Sequence, residues 1–231
     1  MASIAANLQA VHDRIARAAQ AAQRNFAEVT LVAVSKTFPA ERIEAAYAAG
    51  QKVFGENHVQ EAVEKITVLA ALPLLLPLEW HFIGPIQSNK TRLIAQYFGW
   101  VHSVESERIA GRMNAARPEG MPPLNVCIQV NISGEAAKSG VAPGQEAKLA
   151  DAIARLPQLK LRGLMAIPEP TPDVTLQRRR FALLRELKDR LAVRGHALDT
   201  LSMGMSDDFE AAIMEGATMV RVGTAIFGSR K

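Results

Sequence analysis

Only one of the 231 residues is cysteine, Cys127, which excludes a disulfide within the chain and fits a reducing compartment. A long apolar run is also missing. The most apolar stretch, Val68 to Leu78, is interrupted by Pro73 and Pro77 and closed by Glu79, well short of the ~20 residues that a membrane span requires. The N-terminus has no run resembling a signal-peptide core before His12, Asp13 and Arg14. A soluble, cytoplasmic chain with no membrane partner is expected. Charge of one sign is scarce too. With 27 basic and 23 acidic residues the net charge is +4, so the pI near 9.4 reflects a small surplus and does not imply a nucleic-acid partner. No polar linker or low-complexity tract divides the chain, and the Pro-containing segments at 118–123 and 168–172 are short enough to be loops. One domain over 1–231 is expected.

What the chain does have is apolar material for a sizeable core, 48% hydrophobic against 22% charged residues. Ile4, Leu8, Val11, Ile15 and Ala18 recur at helical spacing and predict a leading amphipathic helix. After it, short runs rich in Val, Ile and Phe alternate with longer amphipathic segments. The runs predict strands at 29–34, 52–54, 80–83, 100–102, 125–130, 160–165, 200–202 and 219–222. The segments between predict helices such as 40–49, stopped by Gly50, 107–116, 145–155, 176–194 and 207–215, followed by Gly216. About eight β-α units in a chain near the ~250 residues typical of the class predict an α/β fold, a single (β/α)8 TIM barrel with an extra N-terminal helix. An open doubly wound sheet is the alternative.

In either architecture ligands bind beyond the carboxyl ends of the strands. The residues there are unusually polar: Lys36, Glu56 and Asn57, His81 and Gly84, Ser103, Asn131, Met165, the segment 202–206, then Arg221, Gly223 and Thr224. Lys36 follows a strand apolar enough to be buried on both faces, which projects its amine toward the mouth. Two fates are open to it. Confined beside another cation it becomes a nucleophilic amine suited to a Schiff base with an aldehyde; otherwise it is a solvated lysine at a strand end.

A second cluster, LSMGMSDD (201–208) and VRVGTAIFG (220–228), falls after the seventh and eighth strands, where such barrels bind phosphate. Gly204 and Gly223 let the backbone approach closely, and Ser202, Ser206 and Thr224 offer hydroxyls. The alternative is that Ser206 and Asp207 cap a helix and the glycines make turns. An amine facing a phosphate cradle describes a phosphorylated aldehyde, and pyridoxal 5′-phosphate (PLP) fits both ends. Arg221, between the two, suits the pyridine nitrogen and would leave the ring a weaker electron sink than an aspartate would. A salt bridge lining the barrel is its other reading.

Across nearly the whole chain the sequence resembles the pyridoxal phosphate homeostasis proteins, relatives of the barrel domain of alanine racemase. The resemblance is carried by LVAVSKT (31–37), FGEN with VQE (54–57, 59–61), WHFIGPIQSNK (80–90), KSG (138–140), RGLMAIP (162–168), MGMSDDFEAA (203–212) and MVRVGTAIFG (219–228). It implies a monomeric or weakly associating barrel holding PLP as a Schiff base on Lys36. The phosphate would lie on Ser206, Gly223 and Thr224, with Ser202, and the ring nitrogen on Arg221. Asn57, His81 and Met165 match pocket positions, and Lys90 and Lys138 match lysines that make secondary PLP contacts. His58 departs from the Tyr or Arg often found there.

Racemisation needs acid–base groups on both faces of the substrate carbon. The tyrosine that alanine racemases take from an added β domain is expected to have no counterpart, with Lys231 following directly on the last strand loop and Tyr47 and Tyr97 in helical patterns. His81 is either a second base or an orienting residue. The expectation is a PLP carrier that buffers the cofactor and supplies apo PLP-dependent enzymes, with catalysis weak or absent. The alternatives are a low-activity PLP-dependent amino-acid racemase, a cofactor-free lysine aldolase, and a nucleic-acid binder using the basic helix 178–194. In that helix Glu186 and Asp189 interrupt the basic run, and no aromatic platform accompanies it.

Overall fold

The computed structural model describes residues 3–73, 77–134 and 139–229. Eight parallel strands close into a barrel in sequence order: β1 (Thr30–Val34), β2 (Val53–Glu56), β3 (Glu79–Phe82), β4 (Trp100–Val104), β5 (Leu124–Gln129), β6 (Leu159–Met165), β7 (Thr200–Ser202) and β8 (Met219–Val222). The expected barrel is found, and the open sheet is ruled out by β8 pairing with β1, where Val32 lies opposite Arg221.

Nine α-helices occur among the described residues: α1 (Ile4–Ala21), α2 (Ala40–Ala48), α3 (Val59–Ala70), α4 (Thr91–Tyr97), α5 (Glu107–Ala116), α6 (Glu146–Ile153), α7 (Val174–Val193), α8 (Phe209–Met214) and α9 (Thr224–Phe227). The expected strand and helix boundaries hold to within two residues. Three of the two-residue shifts have a physical reason. The second strand runs on through Gly55 and Glu56, because Gly55 sits where a Cβ would be 3.0 Å from Val32 and Glu56 is paired from outside the sheet. The fourth runs on to Val104, with an irregular register against β5. The helix expected from 207 starts at Phe209, because Asp208 turns its carboxylate back to accept from the Met205 N–H at 2.6 Å.

Alternation along the strands divides the apolar residues into two cores. Leu31 and Ala33 join the large layer between strands and helices, whereas Val32 faces inward. The barrel interior is filled by Val32, Trp100, Cys127, Met165 and Met219, with Val53 against them. Gly163 is required where β6 meets β7: a Cβ there would lie 1.8 Å from the Thr200 carbonyl oxygen.

The extra helix α1 is capped by Ser3 and buries Ile4, Leu8, Val11 and Ile15, the stripe its spacing predicts. It packs on α8 and α9 and is bonded to them: the Asn7 amide donates to the Ile226 carbonyl at 2.8 Å, and Arg14 pairs with Glu210 at 2.7 Å. The N-terminal helix thus buttresses the last β-α units.

Candidate functional site

A cavity of about 390 Å³ opens at the carboxyl ends of the strands, within the roughly 300–1,000 Å³ usual for small-ligand pockets. Its wall includes Lys36 after β1, Asn57 after β2, Ser206 after β7, and Arg221, Gly223 and Thr224 at the end of β8. The amine and the two hydroxyl-bearing loops, far apart in sequence, therefore face one space.

Other expected residues lie elsewhere. His81, Met165 and Ser202 do not line the cavity, because they are inward-facing strand residues buried below its floor. Met165 packs among the apolar interior residues, and Ser202 and His81 are bonded to buried neighbours. Lys90 occupies the N-cap position of α4, away from the cavity. Lys138 falls outside the described residues.

Arg221 forms the floor. It is 3% exposed; Nη1 donates to Ser202 Oγ at 2.6 Å and Nη2 to the Ala166 carbonyl at 2.9 Å. Burial pushes its pKa down to about 10, so it stays cationic at neutral pH. Both bonded partners are neutral oxygens, so the salt-bridge reading does not describe it. A buried cation held by neutral acceptors favours an electron-rich ligand atom at its free edge.

Below Arg221 a chain of hydrogen bonds runs through the barrel. His102 Nδ1 lies 2.7 Å from Ser202 Oγ, His102 Nε2 lies 2.8 Å from His81 Nδ1, and His81 Nε2 lies 2.9 Å from Glu79 Oε1. The Glu79 carboxylate only accepts, so with both imidazoles neutral every proton along the chain is fixed from that end. Ser202 accepts from Arg221 and gives its proton to His102 Nδ1; His102 donates from Nε2 to His81, and His81 donates from Nε2 to Glu79. Both imidazoles are then Nε2–H tautomers, and burial is what keeps them neutral. Burial lowers the pKa of His81 and lowers that of His102 further, with His81 and Arg221 adding to the effect. The hydrogen bond from His81 holds Glu79 below the usual carboxylate range. Trp100 stacks on His81 with ring centroids 5.3 Å apart. His102 and Glu79 were not among the expected site residues. The signal for them was the alternation that puts His81, His102, Ser202 and Arg221 all on inward faces.

The rest of the wall is shaped by close backbone approaches. Asn57 Oδ1 is buried with no hydrogen-bond partner, and Gly84 packs so closely on Asn57 that a Cβ would lie 2.4 Å from its carbonyl oxygen. Ser103 donates to the Gly84 carbonyl at 2.5 Å and fixes that turn. At Gly223 a Cβ would approach the Val34 carbonyl oxygen to 3.1 Å. The Ser206 carbonyl accepts from Arg14 of α1 at 3.1 Å, and the Gly204 carbonyl accepts from the Arg221 N–H at 3.0 Å, which ties this loop to both neighbours. Asp208, not Ser206 or Asp207, is the N-cap residue of α8, so the Ser206 side chain is left to the cavity.

On α7 three of the arginines are engaged with carboxylates: Arg178 and Arg185 pair with Glu215, and Arg180 with Glu169. Cys127 is buried in the interior, where its pKa is pushed up to about 12. No helix among the described residues is long and apolar enough to cross a membrane.

The alanine racemase N-terminal domain family matches residues 6–231. A pyridoxal phosphate homeostasis protein of Pseudomonas aeruginosa is 60% identical over 230 residues, covering all of this chain and 97% of the relative. One from Vibrio cholerae is 54% identical, covering all of this chain and 98% of its own. Among solved structures, PipY of Synechococcus elongatus with PLP bound superposes with a TM-score of 0.83 at 36% identity, covering 97% of this chain and all of PipY. The chain belongs to the alanine racemase N-terminal domain family and, within it, to the pyridoxal phosphate homeostasis proteins.

Proposed function

We propose that this chain binds PLP at the barrel mouth, with Lys36 as its covalent anchor, and stores and supplies the cofactor in vitamin B6 homeostasis without turning it over. The observation that carries this is one cavity whose wall joins the Lys36 amine to the Ser206, Gly223 and Thr224 loops, with the Arg221 cation between them. The names of its relatives and the PLP-bound PipY structure support the same reading.

The residues fit the group. Asn57 Oδ1 is a buried acceptor awaiting a donor. The crowded glycine at 223 leaves backbone close to the anion position, where any side chain would press on Val34. Ser206 and Thr224 add hydroxyl donors. When bound, PLP supplies an aldehyde that condenses with an amine with loss of water, and a ring able to draw electrons. Arg221, cationic and without a proton to spare at neutral pH, would donate to the ring nitrogen without protonating it and so restrain that electron withdrawal.

Storage is favoured over racemisation because His81 has both ring nitrogens engaged, with His102 and Glu79, and lies beneath the floor. The recipients would be apo PLP-dependent enzymes met in the cytoplasm, and the working unit a monomer. The test is the absorption spectrum of the purified protein with PLP, before and after borohydride. Wild type is expected to be yellow and to keep a reduced adduct on the Lys36 peptide, and Lys36→Ala to be colourless. A yellow, borohydride-fixable Lys36→Ala protein would sink the assignment.

A further inference from the structure

Lys36 lies two residues beyond the end of β1, and its neighbours on both sides are held from behind the sheet. The Ser35 hydroxyl donates to Glu56 Oε1 at 2.7 Å, and its carbonyl accepts from Lys65 Nζ at 2.9 Å. On the other side the Thr37 N–H donates to Glu61 Oε1 at 2.6 Å. Lys65 of α3 closes the set, with Nζ 2.9 Å from Glu56 Oε1 and 2.5 Å from Glu61 Oε1. A single ammonium therefore joins the two carboxylates that hold the residues flanking Lys36.

Two features separate this cluster from ordinary packing. Glu56 is 0% and Lys65 7% exposed, in a layer between strands and helices built mainly from apolar side chains. Ions there carry a desolvation cost that apolar side chains of similar volume avoid, and Glu56 Oε2 is left buried with no partner. The cluster is thus a poor device for stability alone. The second feature is Thr37, whose φ is +69°, a left-handed conformation that a β-branched residue adopts only where its surroundings impose it. The bond from Glu61 falls on the N–H of that same residue.

We propose that Glu61, Lys65 and Glu56 form a clamp that turns the backbone at Thr37 and so aims the Lys36 amine into the cavity. They are positioning residues for capture of the cofactor. The inference rests on Lys36 being the PLP anchor.

The test mixes each full-length apo protein with PLP and follows the rate of colour formation. Adducts are located by borohydride fixation and mass analysis of the Lys36 peptide, with the apo melting temperature as folding control. Glu61→Ala is expected to capture PLP about tenfold more slowly at unchanged melting temperature, as one strained conformation is no longer held. Glu61→Gln keeps an acceptor oxygen for Thr37 and is expected to stay near wild type. Adding Thr37→Gly to Glu61→Ala is expected to recover most of the rate, since glycine takes a positive φ without steric cost. If Glu61→Ala melts early, Thr37→Pro replaces it: proline has neither the N–H nor access to that φ, and slow capture is again expected. Wild-type capture by the variant used overturns the clamp, as does a loss that Thr37→Gly fails to restore. A wild type with no adduct on the Lys36 peptide overturns the anchor reading and the clamp together, whereas an adduct captured equally fast by wild type and variants overturns the clamp alone.

Discussion

His102 is fully buried in the barrel interior, bonded to Ser202 on one side and to His81 on the other. It is neutral because it is buried, with Arg221 close by, and as a neutral ring it accepts from Ser202 and donates to His81. The sign of the pH effect follows. The folded pKa lies below 6.5, so on acidification the unfolded chain takes up a proton that the fold refuses. Stability is fully present above about pH 6.5 and declines as pH falls below it. His81 and His12 are lowered as well and act in the same sense. Glu56 and Asp208 are raised by burial and act oppositely, at the acidic end of the range. Wild type is therefore expected to lose more melting temperature between pH 7.5 and 5.5 than His102→Asn, measured by circular dichroism at matched ionic strength. Equal slopes would mean that the histidine is not held neutral.

At the scale of elements, the loop after β7 is held by the N-terminal helix. Arg14 lies over the Phe209 ring at 4.3 Å, pairs with Glu210 and donates to the Ser206 carbonyl. Arg14→Ala is expected to leave the fold intact and to weaken retention of PLP by about threefold to tenfold, the scale of one net hydrogen bond now missing from the Ser206 loop, read by dialysis against phosphate buffer. Unchanged retention would show that the loop keeps its shape without α1. The sequence made α1 legible through its stripe, and the strands through their alternation with amphipathic segments. Lys36, Arg221 and the glycine-bearing loops were legible for the same reason, since a strand end in a parallel barrel is already an address. The contacts of His81, His102 and Glu79 were not legible, because alternation tells which face a residue occupies and not how far along the barrel its neighbour's side chain sits. Lys65 was harder still. A lysine in the middle of an amphipathic helix reads as solvent-facing, and its burial depends on Glu56 and Glu61 meeting it.

For the molecule as a whole, the distinction between holding a cofactor and using it has a direct readout. With His81 engaged below the floor and, in the proposed binding, Arg221 at the ring nitrogen, PLP-loaded protein is expected to exchange no α-hydrogen of L- or D-alanine in deuterated buffer, as followed by proton NMR. Exchange at a rate comparable to a racemase would reinstate the enzyme reading. The closed barrel has one more consequence, which concerns biosynthesis. The strand that leads to Lys36 is completed by β8, and α1 docks on helices at the opposite end of the chain. Translation therefore delivers the first half of the pocket long before the second. A nascent fragment that stops before residue 202 has neither the seam nor the loops that carry Ser206, Gly223 and Thr224, so the cavity is expected to close only once those residues have been made.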